Sequence, residues 1–168
     1  MQAGLFYMGM GMNEKLLGNY GTAKNYFEEG LVIFNRIRSL NFQLVMRSEL
    51  GHVARLTGKL NDAKNIYHET LRGWQNMGHR GAIANQLECY AFIAIVEEEP
   101  KRAALLLGGA ESFREKIQTQ MTDHEQIEYG EFTIRLHTML PETEFQSCWA
   151  QGRSMTMEQA IELALSDN

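Results

Sequence analysis

The sequence predicts an all-α protein: three stacked helical hairpins at a 40-residue period, closed by C-terminal capping helices. Three observations carry this expectation. Ala23, Ala63 and Ala103 stand 40 residues apart, and self-similarity at a period of about 20–50 residues marks a stacked repeat. Apolar residues recur at intervals of three and four over long stretches, the period of one helix face. Only two prolines, Pro100 and Pro141, occur in 168 residues, so little interrupts long helices. The expected organisation is a repeat array over 1–120, in hairpins of about 1–40, 41–80 and 81–120, and capping helices over 121–168.

The first helix is expected over about 3–17, with Leu5, Met8, Met12 and Leu16 at helical spacing. Gly18 to Gly21 form a turn, and a second helix runs over about 22–38. Tyr26, Phe27, Leu31, Phe34 and Ile37 give it one apolar face. Residues 39–42 connect to the second hairpin, whose helices cover about 43–56 and 61–77 around a tight turn at Gly58-Lys59. Asp62 stands where a carboxylate can satisfy free N–H groups at a helix start. Gly78 to Gly81 break the chain again, and the third hairpin covers about 82–96 and 100–119. Pro100 falls in the first turn of its helix, where a missing N–H costs no hydrogen bond.

Beyond the array, a helix over about 123–140 carries Ile127, Phe132, Ile134, Leu136 and Leu140. A second, over about 141–151, carries Phe145, Cys148 and Trp149. Residues 152–156 form a loop, and Thr156-x-x-Gln159 is a capping box opening a last helix from Met157 to Leu165. Terminal repeats need cover for their exposed face, which this tail can supply.

At the 40-residue offset, Gly11, Gly51 and Ala91 coincide on the first helix of each hairpin, and Phe27, Tyr67 and Leu107 on the second, as do Gly30, Thr70 and Ala110. A small residue lets the two helices of a hairpin approach, and the large residue four positions after the alanine is expected to fill the gap to the next hairpin. The order Gly, twelve on Ala, four on an aromatic, three on a small residue resembles the tetratricopeptide repeat, with Ala91 and Leu107 departing from it in the third instance. It stands as Gly11/Ala23/Phe27/Gly30, Gly51/Ala63/Tyr67/Thr70 and Ala91/Ala103/Leu107/Ala110. The period of that repeat is 34, so 40 residues imply helices longer by about a turn. A narrower resemblance covers nearly the whole chain. Gly18-Asn19-Tyr20-x-x-Ala23-x-x-Tyr26-Phe27-Glu28-Glu29-Gly30-Leu31, Arg102-Ala103-Ala104-x-Leu106-Leu107-Gly108 and Phe145-x-x-x-Trp149-Ala150-x-Gly152-Arg153-x-Met155 look like one region. That region is the C-terminal tetratricopeptide part of large bacterial signal-transduction ATPases and LuxR-type transcriptional regulators. The resemblance implies an α-α superhelix acting as a sensing or protein-interaction arm of a longer polypeptide. The ATPase and DNA-binding parts of that family have no counterpart in these residues.

Composition narrows the function classes. A net charge of −5 with both signs interspersed argues against a nucleic-acid face, which needs a basic stripe. No apolar run approaches the roughly 20 residues that span a bilayer, and the first residues lack the basic and apolar regions of a signal peptide. Cys89 and Cys148 are far apart, without a C-x-x-C pair, as expected of reduced thiols in a cytoplasmic protein.

The search for chemistry returns no reaction. Gly51…Gly58-Lys59 places six residues between its glycines where a phosphate-binding loop needs four, and Leu60 replaces the Ser or Thr that holds magnesium. His68-Glu69 and His124-Glu125 each open an H-E-x-x-H string, but Arg72 and Glu128 hold the second histidine position. His52, His79 and His137 are scattered, Glu97-Glu98-Glu99 reads as a solvated loop, and no nucleophile elbow occurs. The expectation is a protein without catalytic residues, metal or cofactor. Met8, Met10 and Met12 suit either an adaptable partner surface or core filling.

In tetratricopeptide stacks the first helix of each pair lines a concave groove. Carried over by position, the groove set is Met8, Met12 and Lys15; Ser48, His52 and Arg55; and Asn85, Glu88 and Phe92. Lys15 and Arg55 are equivalent positions, two cations on neighbouring hairpins able to hold a carboxylate. The expected ligand is a protein or peptide partner; the alternative is a metabolite, which would make the chain a small-molecule sensor. The first helix starts almost at Met1, so its outer face is also a candidate for self-association.

Overall fold

The computed structural model describes residues 1–166, and among these every regular element is an α-helix. In order they are α1 (Gln2–Leu16), α2 (Tyr20–Arg36), α3 (Leu40–Leu56), α4 (Leu60–Met77), α5 (Arg80–Val96), α6 (Pro100–Ile117), α7 (Asp123–Met139), α8 (Glu142–Ser154) and α9 (Met157–Leu165). No helix among the described residues is long and apolar enough to cross a membrane.

From α2 to α6 a helix starts every 20 residues, and the cause lies in the turns. Gly18, Arg38, Gly58, Gly78, Glu98 and Gln118 all have positive φ, from 53° to 79°. At each, two hydrogen bonds close the helix end: Gly58 N–H donates to Arg55 O at 3.0 Å and Lys59 N–H to Ala54 O at 2.9 Å. Arg38 and Ser39 repeat this toward Asn35 and Phe34, as Gln118 and Thr119 do toward Glu115 and Arg114. This double bond to the last carbonyls is the Schellman motif, which satisfies them with two residues of turn. The 40-residue repeat therefore consists of two half-repeats of equal length.

Such short turns lengthen the helices relative to expectation. α2, α3 and α5 begin at Tyr20, Leu40 and Arg80, two or three residues earlier than the apolar pattern suggests. Phe42, expected in a connection, lies in α3 with its ring stacked on Phe34 at a centroid distance of 4.7 Å. The loop expected over 152–156 is likewise shorter, because Gly152, Arg153 and Ser154 belong to α8. Thr156 and Gln159 form the expected capping box of α9. A second, formed by Thr122 and Glu125, opens α7.

The chain divides into two compact units, Met1–Gly73 and Trp74–Asn168. In the first, Ala23, Phe27, Phe34, Met46 and Val53 form the core, flanked by Met8, Met12, Leu31 and Leu50. Gly11 makes room for the Phe27 ring, and a Cβ at Gly11 would stand 2.5 Å from it. Gly51 does the same for Tyr67, at 2.6 Å. The aromatic four positions after the alanine thus fills its own hairpin rather than the gap to the next, correcting the sequence expectation. The gap between hairpins is served by Gly30, whose Cβ position lies 3.0 Å from Met46 Sδ on α3.

In the second unit α5 and α6 form the centre, buried around most of their circumference, as befits helices apolar on nearly every side. α7, α8 and α9 are arranged about them, so the tail shares a core with the third hairpin. α8 lies so close to α6 that a Cβ at Gly108 would run into the Trp149 carbonyl, and one at Gly152 into that of Leu105. Trp149 Nε1 and Arg153 Nη1 both donate to Glu111 Oε2, at 2.9 and 2.5 Å. Arg102 Nη2 donates to the carbonyls of Leu163, Ala164 and Ser166, a cation on the negative end of α9.

Candidate binding face on the first helices of the hairpins

Among the nine groove candidates, those of the first unit gather around α3. Lys15 on α1 reaches Glu49 on α3, Nζ to Oε2 at 2.5 Å. One turn along α3, His52 Nδ1 lies 2.8 Å from the hydroxyl of Tyr67 on α4. The Tyr67 ring is fully buried and reaches α3 across Gly51, so the packing glycine of the repeat also delivers the hydroxyl to the imidazole. Ser48 and Arg55 are buried, while Lys15 and His52 are half-buried. Arg47 joins from the exposed side, pairing with Glu69 at 3.1 Å.

Electrostatics fix the state of His52. Burial holds its pKa well below the ordinary value, and the cations Lys15 and Arg55 push in the same direction. The imidazole is therefore neutral at neutral pH, with one ring nitrogen committed to Tyr67.

The repeat supplies an internal comparison. Met12 and Phe27 occupy the positions of His52 and Tyr67 in the first hairpin, Phe92 and Leu107 in the third. Phe27, Phe92 and Leu107 are buried and Met12 is half-buried against the core. Packing at this place is thus met by apolar pairs, and only the middle hairpin carries a hydrogen-bonded polar pair with charged neighbours.

The candidates of the third hairpin are arranged differently, because α7 covers them. Asn85 Nδ2 donates to Glu125 Oε1 at 2.8 Å. Phe92 stacks on Phe132 of α7 at 4.4 Å. Glu88 is buried and accepts from Arg114 Nε and Nη2 at 2.6 and 2.8 Å. Burial pushes the Glu88 carboxyl up, against the opposing pull of that guanidinium. Arg114 also stands 3.7 Å from Glu125. Asn85 and Phe92 thus hold the chain's own seventh helix, and Glu88 holds Arg114 of α6 beside it. Sequence reasoning placed Glu88 at the right face but missed Arg114 and Glu125. The signal that could have found Glu125 is the Thr122-x-x-Glu125 box, since its helix start brings that carboxylate to α5.

Among the described residues no group of three or more His, Cys, Asp or Glu is placed to hold a metal ion. Cys89 is buried and Cys148 half-buried, and neither is in a disulfide. Compared with known proteins, the chain matches no family model, no curated protein and no solved structure.

Proposed function

We propose that the chain is a protein-interaction module of tetratricopeptide type, binding an acidic segment of a partner at the α1–α3 face. The observation that carries this reading is the polar cluster of Lys15, Glu49, His52, Arg55 and Tyr67, whose hydrogen-bonded His52–Tyr67 pair stands where the other hairpins place apolar residues. A partner carboxylate there would meet Lys15 and Arg55 as charge-assisted donors, with the neutral His52–Tyr67 pair offering directional hydrogen bonds. Glu49 holds Lys15 in place until such a carboxylate arrives. Together with the resemblance to regulator repeat regions, the cluster supports a role as the interaction arm of a signalling protein.

The test exploits the repeat. His52→Met with Tyr67→Phe gives the middle hairpin the residues of the first, and replacing both partners by apolar groups of similar shape is close to neutral for stability. Partners captured by the wild-type chain are titrated against this variant and against Lys15→Ala. The expected result is a fall in affinity of about tenfold or more with an unchanged urea midpoint, since one charge-assisted bond contributes about 1.5–3 kcal/mol. Unchanged affinity in both variants would remove this face from the binding site. If a small dicarboxylate competes the partner away at saturable concentration, the same face serves as a metabolite sensor.

A further inference from the structure

We infer that Glu49 is a built-in competitor at the α1–α3 face: its carboxylate occupies the Lys15 ammonium, so an acidic partner segment binds by displacing it. The inference rests on the partner-binding reading of that face, and adds which residue sets its affinity and selects its ligand.

Lys15 stands on α1 and Glu49 on α3, so the pair bridges the first helices of two neighbouring hairpins. Nζ and Oε2 are 2.5 Å apart, and the two side chains are only 20% and 13% exposed. Water and salt therefore screen this pair in part. Lys24–Glu28 and Arg47–Glu69 of the same unit are by contrast open to solvent, where an ion pair contributes little. The repeat register shows that the fold does not need the bridge. In the third hairpin the positions of Glu49 and Lys15 hold Cys89 and Ile95, both buried. In the first, Gly9 stands at the position of Glu49 and is exposed. Packing at this place is met without a carboxylate, so Glu49 serves the charge beside it.

What this does to a ligand follows from charge. A carboxylate brought to Lys15 Nζ arrives beside the Glu49 carboxylate, and like charges sharing one site disfavour each other. Binding therefore exchanges one ion pair for another at Lys15, an exchange close to neutral in itself. A lone carboxylate gains little by it. A segment with several acidic groups gains through its further contacts, at Arg55 and at the His52–Tyr67 pair. Glu49 thus raises the threshold for every anion and lets multiply acidic segments pass it. Removing its charge lowers the threshold, because the ammonium then offers its donors without a competitor.

The test titrates the full chain into a fluorescein-labelled hexaglutamate peptide, read by fluorescence anisotropy at low ionic strength. Glu49→Gln is expected to bind this peptide about three- to tenfold more tightly than the wild type, with helical circular dichroism unchanged. Glu49→Ala, the second variant should the first fail to fold, is expected to gain likewise. Lys15→Ala is expected to bind more weakly, and adding Glu49→Gln to it should bring no gain, since Glu49 acts through Lys15. Glu28→Gln on α2 removes a charge away from the face and is expected to leave affinity unchanged. If Lys15→Ala weakens binding but Glu49→Gln does not strengthen it, the role of Glu49 is overturned and the binding face stands. A gain that persists without Lys15, or is matched by Glu28→Gln, overturns that role equally. A wild-type chain that does not bind the peptide, or a Lys15→Ala variant that binds as well as the wild type, removes the face and the competitor together.

Discussion

The three non-glycine turn residues carry a strain that their glycine counterparts avoid. Arg38, Glu98 and Gln118 hold φ of 54°, 62° and 53°, a region where a Cβ costs about 1 kcal/mol relative to glycine. Arg38→Gly and Glu98→Gly are each expected to stabilise the chain by about 0.5–1 kcal/mol, net of the extra freedom glycine brings to the unfolded state. Gly58→Ala, at φ 75°, is expected to lose about 1 kcal/mol. Urea midpoints of the three variants check both signs. These turns were half legible in the sequence: Gly18, Gly58 and Gly78 announce a helix end, whereas nothing about an arginine or a glutamate does. The 40-residue period of the sequence rests instead on packing residues such as Ala23, Ala63 and Ala103.

His52 makes a second prediction at the same scale. Its folded-state pKa lies well below the ordinary value. As pH falls through about 6.5 the unfolded chain therefore takes up a proton that the folded chain refuses. The contribution to stability is full above about pH 6.5 and is lost progressively below it, down to the folded pKa. Urea midpoints between about pH 7.5 and 5 should fall accordingly. In His52→Met with Tyr67→Phe this part of the slope should vanish.

Among the elements, α8 depends most on the absence of side chains. Gly108 and Gly152 face backbone carbonyls across the seam with α6, and backbone cannot rotate aside as a side chain can. Gly108→Ala or Gly152→Ala is expected to cost about 3 kcal/mol, the upper end for overpacking. Alanine at half-buried Gly130, where nothing lies within 4 Å of the added Cβ, should be harmless or slightly stabilising. Thermal melts of the three variants separate these outcomes. The existence of α7, α8 and α9 was legible from their periodicity and from Thr156-x-x-Gln159. The helical state of Gly152 was not, since glycine marks a helix end as readily as a close contact, and only the neighbouring α6 distinguishes them. α7 shows the same limit: its apolar residues predict a helix, but not that Phe132 would stack on Phe92.

Over the whole molecule, most helices pack on their neighbours in sequence: α1 on α2, α2 on α3, α5 on α6. The longest-range pairing of large extent, α8 on α6, still closes a short loop. Helical proteins dominated by local contacts fold in microseconds to milliseconds. Refolding of the chain, followed by stopped-flow tryptophan fluorescence, is expected to be complete within about that range. Trp149 in the α6–α8 seam reports the docking of α8 on α6. A dominant phase of seconds would show that assembly is limited by something other than these local pairings.

The sequence by itself determined the helices, their hairpin order and the small–large register, because each depends on residues within one or two turns or at a fixed offset along the chain. Only the tertiary structure decided which gap each aromatic fills, that α7 lies on Asn85 and Phe92, and that His52 meets Tyr67 beside Lys15 and Glu49. Those choices depend on how close two helices come and at what rotation, and a glycine facing an aromatic ring or a carbonyl settles this only when both are in place.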